Sequence, residues 1–244
     1  MSVRELTDDV RWVRACHEVN GEHEHVSVYL VDAPEGEVLL DTGSYHDEAA
    51  IADAVAAEAG DLAAIVLSHS DLPHAGNVAA LRERFGDVEL VASSGAPAAQ
   101  GLSDAVQCPV GGSMGVAGRE FAFLDPPLAD RSHSTWIVER GTGVLFTADG
   151  FGARHPPGHC DWTSAEFEDG VPRQAIREYH ENALVWLSYV DPPRLRAALE
   201  RVFDRADPSW VAPVHGHPIA PGDRERFLDR LETAAAGIAA DADV

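Results

Sequence analysis

Hydrophobic positions along this chain fall into two patterns. Short, continuously apolar runs such as Leu62-Ala63-Ala64-Ile65-Val66-Leu67 alternate with stretches in which apolar residues recur every three or four positions. The first pattern predicts buried strands and the second predicts helices. Strands are expected over 10–15, 25–31, 37–40, 63–67, 88–92, 120–124, 135–139, 144–147 and 209–212, and helices over 47–58, 78–85, 173–187, 193–203 and 223–235. Asn77 directly precedes the second helix and reads as its cap. Hairpin-like strands fill the opening, strands and helices then alternate, and helices dominate the end. That order predicts an α/β fold of two packed sheets with helices on both outer faces. No stretch is rich enough in Pro, Gly or Ser to act as a linker and no repeat is visible, so residues 1–244 are expected to form one domain.

The polar residues that end these runs change the picture. Leu67 is followed by Ser68-His69-Ser70-Asp71-Leu72-Pro73-His74, which places three potential metal ligands on one loop. The run 37–40 ends in Asp41-Thr42-Gly43, the run 143–148 in Asp149-Gly150, and Trp210-Val211-Ala212-Pro213-Val214 in His215-Gly216-His217. A glycine or tight polar turn at these places lets the backbone turn sharply and leaves the side chain projecting from the strand end. One such Asp would be a turn former, but four strand ends with the same chemistry point to a shared site. Imidazole with carboxylate suits zinc, iron or manganese.

A hydrophobic content of 45% over 244 residues is enough for a proper core. All 18 basic residues are arginine, against 41 Asp plus Glu, for a net charge of −23. A surface this acidic repels phosphate and anionic lipid, which excludes nucleic acid as a partner. The excess favours adaptation to high intracellular salt over codon bias alone. The N-terminus lacks a secretory pattern and no apolar run reaches membrane-spanning length, so a cytoplasmic protein without membrane attachment is expected. Cys16, Cys108 and Cys160 lack CxxC spacing, so neither a disulfide framework nor a rubredoxin-like iron site is expected, and they read as isolated thiols. His23, His25 and His155 read singly as surface residues, the alternative being a lining of the site. His180 and Trp186, inside the 173–187 helix, read as packing residues.

The order Asp41-Thr42-Gly43, His69-x-Asp71-x-x-His74, Asp149, His215 resembles the metallo-β-lactamase fold superfamily over nearly the whole chain, which implies an αββα sandwich. Within it, the chain is most similar to the diiron domain of flavodiiron proteins. Asp71 stands where the hydrolases carry His, Leu145-Phe146-Thr147-Ala148-Asp149-Gly150-Phe151-Gly152 is similar to the bridging-Asp segment, and Ala212-Pro213-Val214-His215-Gly216 to the last ligand motif. The segment Glu178-Tyr179-His180-Glu181-Asn182 is similar to the linking region. The resemblance implies two metal ions, iron preferred and zinc or manganese as alternatives. His69, Asp71 and one of Asp130 or His133 would hold the first, His74 and His215 the second, with Asp149 bridging and Asp41 orienting an imidazole. Asp149 and His74 would lie at the reacting centre. Two positions depart from the family pattern. Pro73 replaces an Asp ligand, and Asp130-Arg131-Ser132-His133-Ser134 has carboxylate and imidazole exchanged relative to the family order. Spacing favours Asp130 and ligand chemistry favours His133.

Three functions follow from the resemblance. The first is a nonheme diiron protein that binds or reduces oxygen or nitric oxide, fed by a separate flavodoxin- or rubredoxin-like electron donor because no flavodoxin domain is expected in this chain. The second is a hydrolase of an ester, lactone, thioester or phosphoester that uses metal-bound hydroxide. The third is a binding protein with a degenerate metal site. A small-molecule or diatomic substrate and a homodimer are compatible with all three.

Overall fold

The computed structural model describes residues 1–93 and 102–242. Strands β1 (Ser2–Thr7), β2 (Val10–Val19), β3 (Glu22–Val31), β4 (Glu37–Leu40), β5 (Leu62–Leu67), β6 (Glu89–Ser93) and β7 (Val106–Cys108) form one sheet in sequence order. It is antiparallel from β1 to β4 and parallel from β4 to β7. Strands β8 (Ser113–Val116), β9 (Arg119–Leu124), β10 (Trp136–Glu139), β11 (Val144–Phe146) and β12 (Trp210–Ala212) form the second sheet, in the order β12-β11-β10-β9-β8, with only β11 and β12 parallel.

Side-chain alternation in the strands assigns each face to a layer. Trp12, Tyr29, Leu40 and Val66 of the first sheet meet Phe121, Phe123, Ile137 and Phe146 of the second, which makes the inter-sheet core. On the opposite face of the first sheet, Leu30, Leu39, Ile65 and Leu67 are covered by Ile51 and Val55 of α1 (Glu48–Glu58) and Leu81 of α3 (Val78–Phe85), beyond the short α2 (Leu72–Ala75). On the outer face of the second sheet, Trp136, Val138 and Leu145 pack against α4 (Arg173–Ala183), α5 (Pro192–Ala206) and α6 (Arg224–Ala242) through Ile176, Leu199, Phe203 and Leu231. The expected αββα sandwich is the observed fold. Burial on both faces explains why β5 reads as a continuous apolar run rather than an alternation. Each fully buried Leu, Ile or Phe contributes roughly 1.5–3 kcal/mol, whereas an exposed pair such as Arg84–Asp53 contributes about 0–1 kcal/mol. The three apolar layers therefore hold the sandwich, and the surface ion pairs add little.

Several expectations need correction. Strands β1, β7 and β8 are not apparent from the sequence, because the first is polar and half-exposed and the other two span three and four residues. The helix expected over 173–187 ends at Ala183, and a 3-10 turn, Val185–Tyr189, follows Leu184, whose ψ of 63° breaks the helix. Asn77 sits at the start of α3 but makes no side-chain cap; its amide donates instead to the carbonyls of Thr42 and Ser44. The β2–β3 hairpin runs past the apolar residues to a two-residue turn, Asn20-Gly21, with φ of 56° and 85°, the left-handed pair such a turn requires. Cys16 and Cys160 are not isolated thiols but a disulfide joining positions 144 residues apart, and Cys108 alone is free, and buried. His25 and His155 are not surface residues, since both are buried. Trp186 packs against the outer helical core as expected, and His180 is fully buried.

Candidate metal centre

Parallel pairing of β4 with β5, and of β11 with β12, turns four strand ends toward one edge of the sandwich, and the side chains that follow them meet there. Asp149 lies at the middle. Its Oδ2 is 3.3 Å from His69 Nε2 and 3.5 Å from His74 Nε2, and its Oδ1 is 3.2 Å from His215 Nε2. Asp130 Oδ2 lies 3.6 Å from His69 Nε2. Donor atoms of His69, His74 and Asp149 lie within 4.8 Å of one another, and so do those of His69, Asp71 and Asp130. Asp71 is 27% exposed on its side chain and also accepts a bond from Arg131 Nε at 2.9 Å. His133 stands at the edge of this set: its Nε2 pairs with Ser70 Oγ at 3.1 Å and lies 4.0 Å from Asp71 Oδ1, and its ring centroid is 6.1 Å from that of His69. Of the two alternatives left open by the sequence, the loop thus brings Asp130 to the cluster. Pro73 occupies the second position of α2, where its missing N–H costs no helical bond, and it contributes no donor atom.

Backbone and polar contacts fix the imidazoles from behind. Asp41 adopts a left-handed φ of 57° just after β4, and its carboxylate accepts from Ser68 N at 2.8 Å, Ser68 Oγ at 2.7 Å and His74 Nδ1 at 2.9 Å. His215 Nδ1 donates to the His25 carbonyl at 2.9 Å. With Nδ1 occupied, each of these imidazoles is left with Nε2 facing Asp149, the arrangement by which metal-binding histidines are oriented. Asp130 Oδ1 accepts from Ser134 Oγ at 2.5 Å, and Trp186 Nε1 donates to the neighbouring Ala129 carbonyl at 2.8 Å, so the loop carrying Asp130 is tied to the helical layer. Tyr179 Oη donates to Asp149 Oδ1 at 3.4 Å. Gly152 is required for that approach, because a Cβ there would lie 2.1 Å from the Tyr179 ring.

Burial pushes the His69 imidazole well below its ordinary range, and the neighbouring His74 adds to the effect. Burial acts on His74 in the same sense, but the carboxylates of Asp41 and Asp149 outweigh it and bring the imidazole up to about 10. Burial would raise Asp149, yet His74 and His215 hold its carboxyl well below the usual range. Asp130 is raised, first by burial and then by the charge of Asp149. Asp149 Oδ2 is buried and accepts no hydrogen bond from the described residues despite two nearby imidazole nitrogens. Buried nitrogen and oxygen donors converging in this way are candidate ligands for a metal cation.

Tyr179, Glu24 and Arg154 are site residues that sequence reasoning did not single out. Together with Asp149, Asn182 and His215 they line a cleft of about 230 Å³. Arg154 Nε donates to Glu24 Oε2 at 3.0 Å at its wall. The alternation of β3 could have flagged Glu24, but no local signal marks the other two. A larger groove, about 960 Å³, passes Asp71, Leu72 and Pro73 and is lined by none of His69, His74, Asp149 or His215. Its size does not make it the reacting site.

The sequence profile of the Metallo-beta-lactamase superfamily matches residues 21–195. The chain belongs to the metallo-β-lactamase superfamily. Its fold is similar to that of a variant flavo-diiron protein from Thermotoga maritima, with a TM-score of 0.81 and 18% identity over 97% of this chain and 61% of the other. It is similar also to rubredoxin oxygen:oxidoreductase from the anaerobe Desulfovibrio gigas, with a TM-score of 0.71 and 20% identity over 99% of this chain and 62% of that one. A fragment of a putative diflavin flavoprotein from Nostoc matches along its length, with a TM-score of 0.77 and 14% identity over 100% of this chain and 98% of the fragment. The chain therefore spans about three fifths of the length of the two whole proteins.

Proposed function

We propose that this protein is a nonheme diiron protein that binds or reduces oxygen or nitric oxide with electrons from a separate flavodoxin- or rubredoxin-like donor. The observation that carries the reading is the donor set. Three carboxylates, Asp71, Asp130 and Asp149, converge with three imidazoles, His69, His74 and His215. A mixed oxygen and nitrogen set of this kind is harder than a nitrogen-dominated zinc site and favours iron. His69, Asp71 and Asp130 would hold one ion, His74 and His215 the other, and Asp149 both. Bound iron would supply one-electron redox chemistry and an open coordination position. The chain's own residues would do the rest: Asp41 holds His74 in register, the His25 carbonyl holds His215, and the small cleft beside Asp149 admits a diatomic more readily than a bulky ester. Burial holds the Tyr179 hydroxyl well above its ordinary range, so it stays protonated and serves as a hydrogen-bond donor to Asp149. A superfamily hydrolase is the competing reading, and Pro73 counts against it, because it removes a carboxylate that would position water.

The test is anaerobic purification without added metal, iron quantification per chain and optical monitoring on addition of oxygen or nitric oxide. Two iron ions per chain and a spectral change on gas addition are expected. A protein without iron that hydrolyses a lactone or thioester panel would overturn the reading.

A further inference from the structure

The hairpin that supplies the carbonyl behind His215 carries a second group of donors that the centre above does not use. Cys16 pairs with His25 across β2 and β3, so Cys16, His23 and His25 share one face of the hairpin, with Cys16 and His23 as diagonal neighbours. His23 and His155 are joined by two backbone hydrogen bonds, His23 N to His155 O at 2.7 Å and His155 N to His23 O at 2.9 Å, which sets them opposite each other as in an antiparallel pair. Cys160 arrives from the loop that follows. We propose that Cys16, His23, His155 and Cys160 form a tetrahedral zinc site that opens when the Cys16–Cys160 disulfide is reduced.

Donor atoms of Cys16, His155 and Cys160 lie within 4.8 Å of one another, and His23 joins them through its contacts with both sulfurs. In a tetrahedral zinc site, with Zn–S of about 2.3 Å and Zn–N of about 2.0–2.1 Å, a sulfur and a nitrogen stand about 3.5 Å apart. Cys16 Sγ is 3.6 Å from His23 Nδ1 and 3.4 Å from His155 Nε2, and Cys160 Sγ is 3.4 Å from His23 Nδ1. His155 is buried, and its other nitrogen, Nδ1, donates to the Pro156 carbonyl at 3.0 Å, which leaves Nε2 for the sulfur side. Cys16 and Cys160 are half-buried, within reach of a small reductant. A dithiol of the thioredoxin type would supply two electrons and two protons and be oxidised to its own disulfide; the S–S bond breaks, two thiols form, and zinc displaces both thiol protons to solvent. A rival set stands next to this one. His25 Nδ1 and His217 Nε2 are buried without a partner among the described residues, and donor atoms of these two histidines and of His155 lie within 4.8 Å of one another. That set holds no anionic donor to offset a buried divalent charge, whereas two thiolates neutralise it. Zinc at the sulfur set would clamp the hairpin to the segment that follows Asp149.

Cobalt(II) is the probe, because its thiolate charge-transfer band reports sulfur ligation and the Asp149 centre contains no cysteine. The purified protein, with its own metals, is reduced with a phosphine and titrated. One equivalent with a thiolate band is expected, displaced by zinc and missing from the oxidised protein. Cys16→Ser and Cys160→Ser should each lose or sharply weaken the band, His23→Ala and His155→Ala should weaken cobalt binding by at least roughly 100-fold, and Asp149→Ala should leave the band while removing iron, so this site and the diiron reading fail separately. Zinc should also protect two thiols of the unmutated reduced protein from iodoacetamide, a readout that no folding defect can imitate. Absence of the band, alkylation unaffected by zinc, or binding lost in His25→Ala and His217→Ala but kept in the cysteine variants would overturn the proposal.

Discussion

Asp149 gathers the centre because it follows a strand end directly and because Gly152, three residues later, leaves room for Tyr179 to reach it. His69, Asp71, His74 and His215 were legible for the same reason: each follows an apolar run, and a strand end is a rigid place whose position the run itself signals. Asp130 and His133 were not separable, because they lie in a loop whose rotation depends on Ser134, on Ser70 and on the anchoring of Ala129 by Trp186, all of them tertiary contacts. Asp130→Ala is expected to reduce metal affinity by more than roughly 100-fold, and His133→Ala by about 10-fold or less, since loss of a direct ligand outweighs loss of a neighbour. Metal per chain after dialysis against a graded chelator measures both. Equal losses would mean that His133 moves into the site once metal is bound.

At the level of elements, the short 3-10 turn Ser164–Glu166 shows how polar contacts pin distant segments. Glu166 Oε2 accepts from Thr163 N at 2.6 Å and Thr163 Oγ1 at 2.7 Å, and its Oε1 pairs with Arg4 of β1 at 2.6 Å. Burial alone would raise this carboxyl, but Arg4 and Thr163 outweigh it and bring it down to about 2 from an unfolded value of 4.5. A depressed folded value means that the stabilisation is fully present above pH 4.5 and is lost as pH falls from 4.5 toward 2. Glu166→Gln should therefore flatten the acid limb of the stability curve in that window, which urea midpoints at successive pH values would show. An unchanged limb would mean that Arg4 and Thr163 contribute nothing through this carboxylate. The elements with long apolar patterns, β3, β5, α3 and α5, were legible within a few residues. The polar edge strand β1 and the four-residue α2 were not, because their existence depends on neighbours rather than on their own pattern.

For the whole molecule, charge is the dominant property. A net charge of −23 spread over one sandwich repels itself, and the Debye length falls from about 10 Å at 0.1 M salt to about 3 Å at 1 M. The melting temperature is expected to rise by at least about 5 °C between dilute and molar potassium chloride, which corresponds to roughly 1–3 kcal/mol for a chain of this size. A flat response would assign the composition to codon usage instead of salt adaptation. Among the described residues, no helix is long and apolar enough to cross a membrane.

Hydrophobic periodicity and the residues at strand ends were sufficient to anticipate the αββα layering and five of the side chains that converge, because both are local properties written at fixed spacing. Tertiary structure decided what spacing cannot express. It brought Asp130 rather than His133 to His69, drew Tyr179 from α4 onto Asp149, and closed Cys16 onto Cys160. It also buried His25, His155 and His217, which sit 62 to 192 positions apart along the chain, in one cluster. The physical reason is the same in each case: these contacts join residues whose separation is set by sheet pairing and loop closure, and no local pattern of polar and apolar positions records which distant partners will meet.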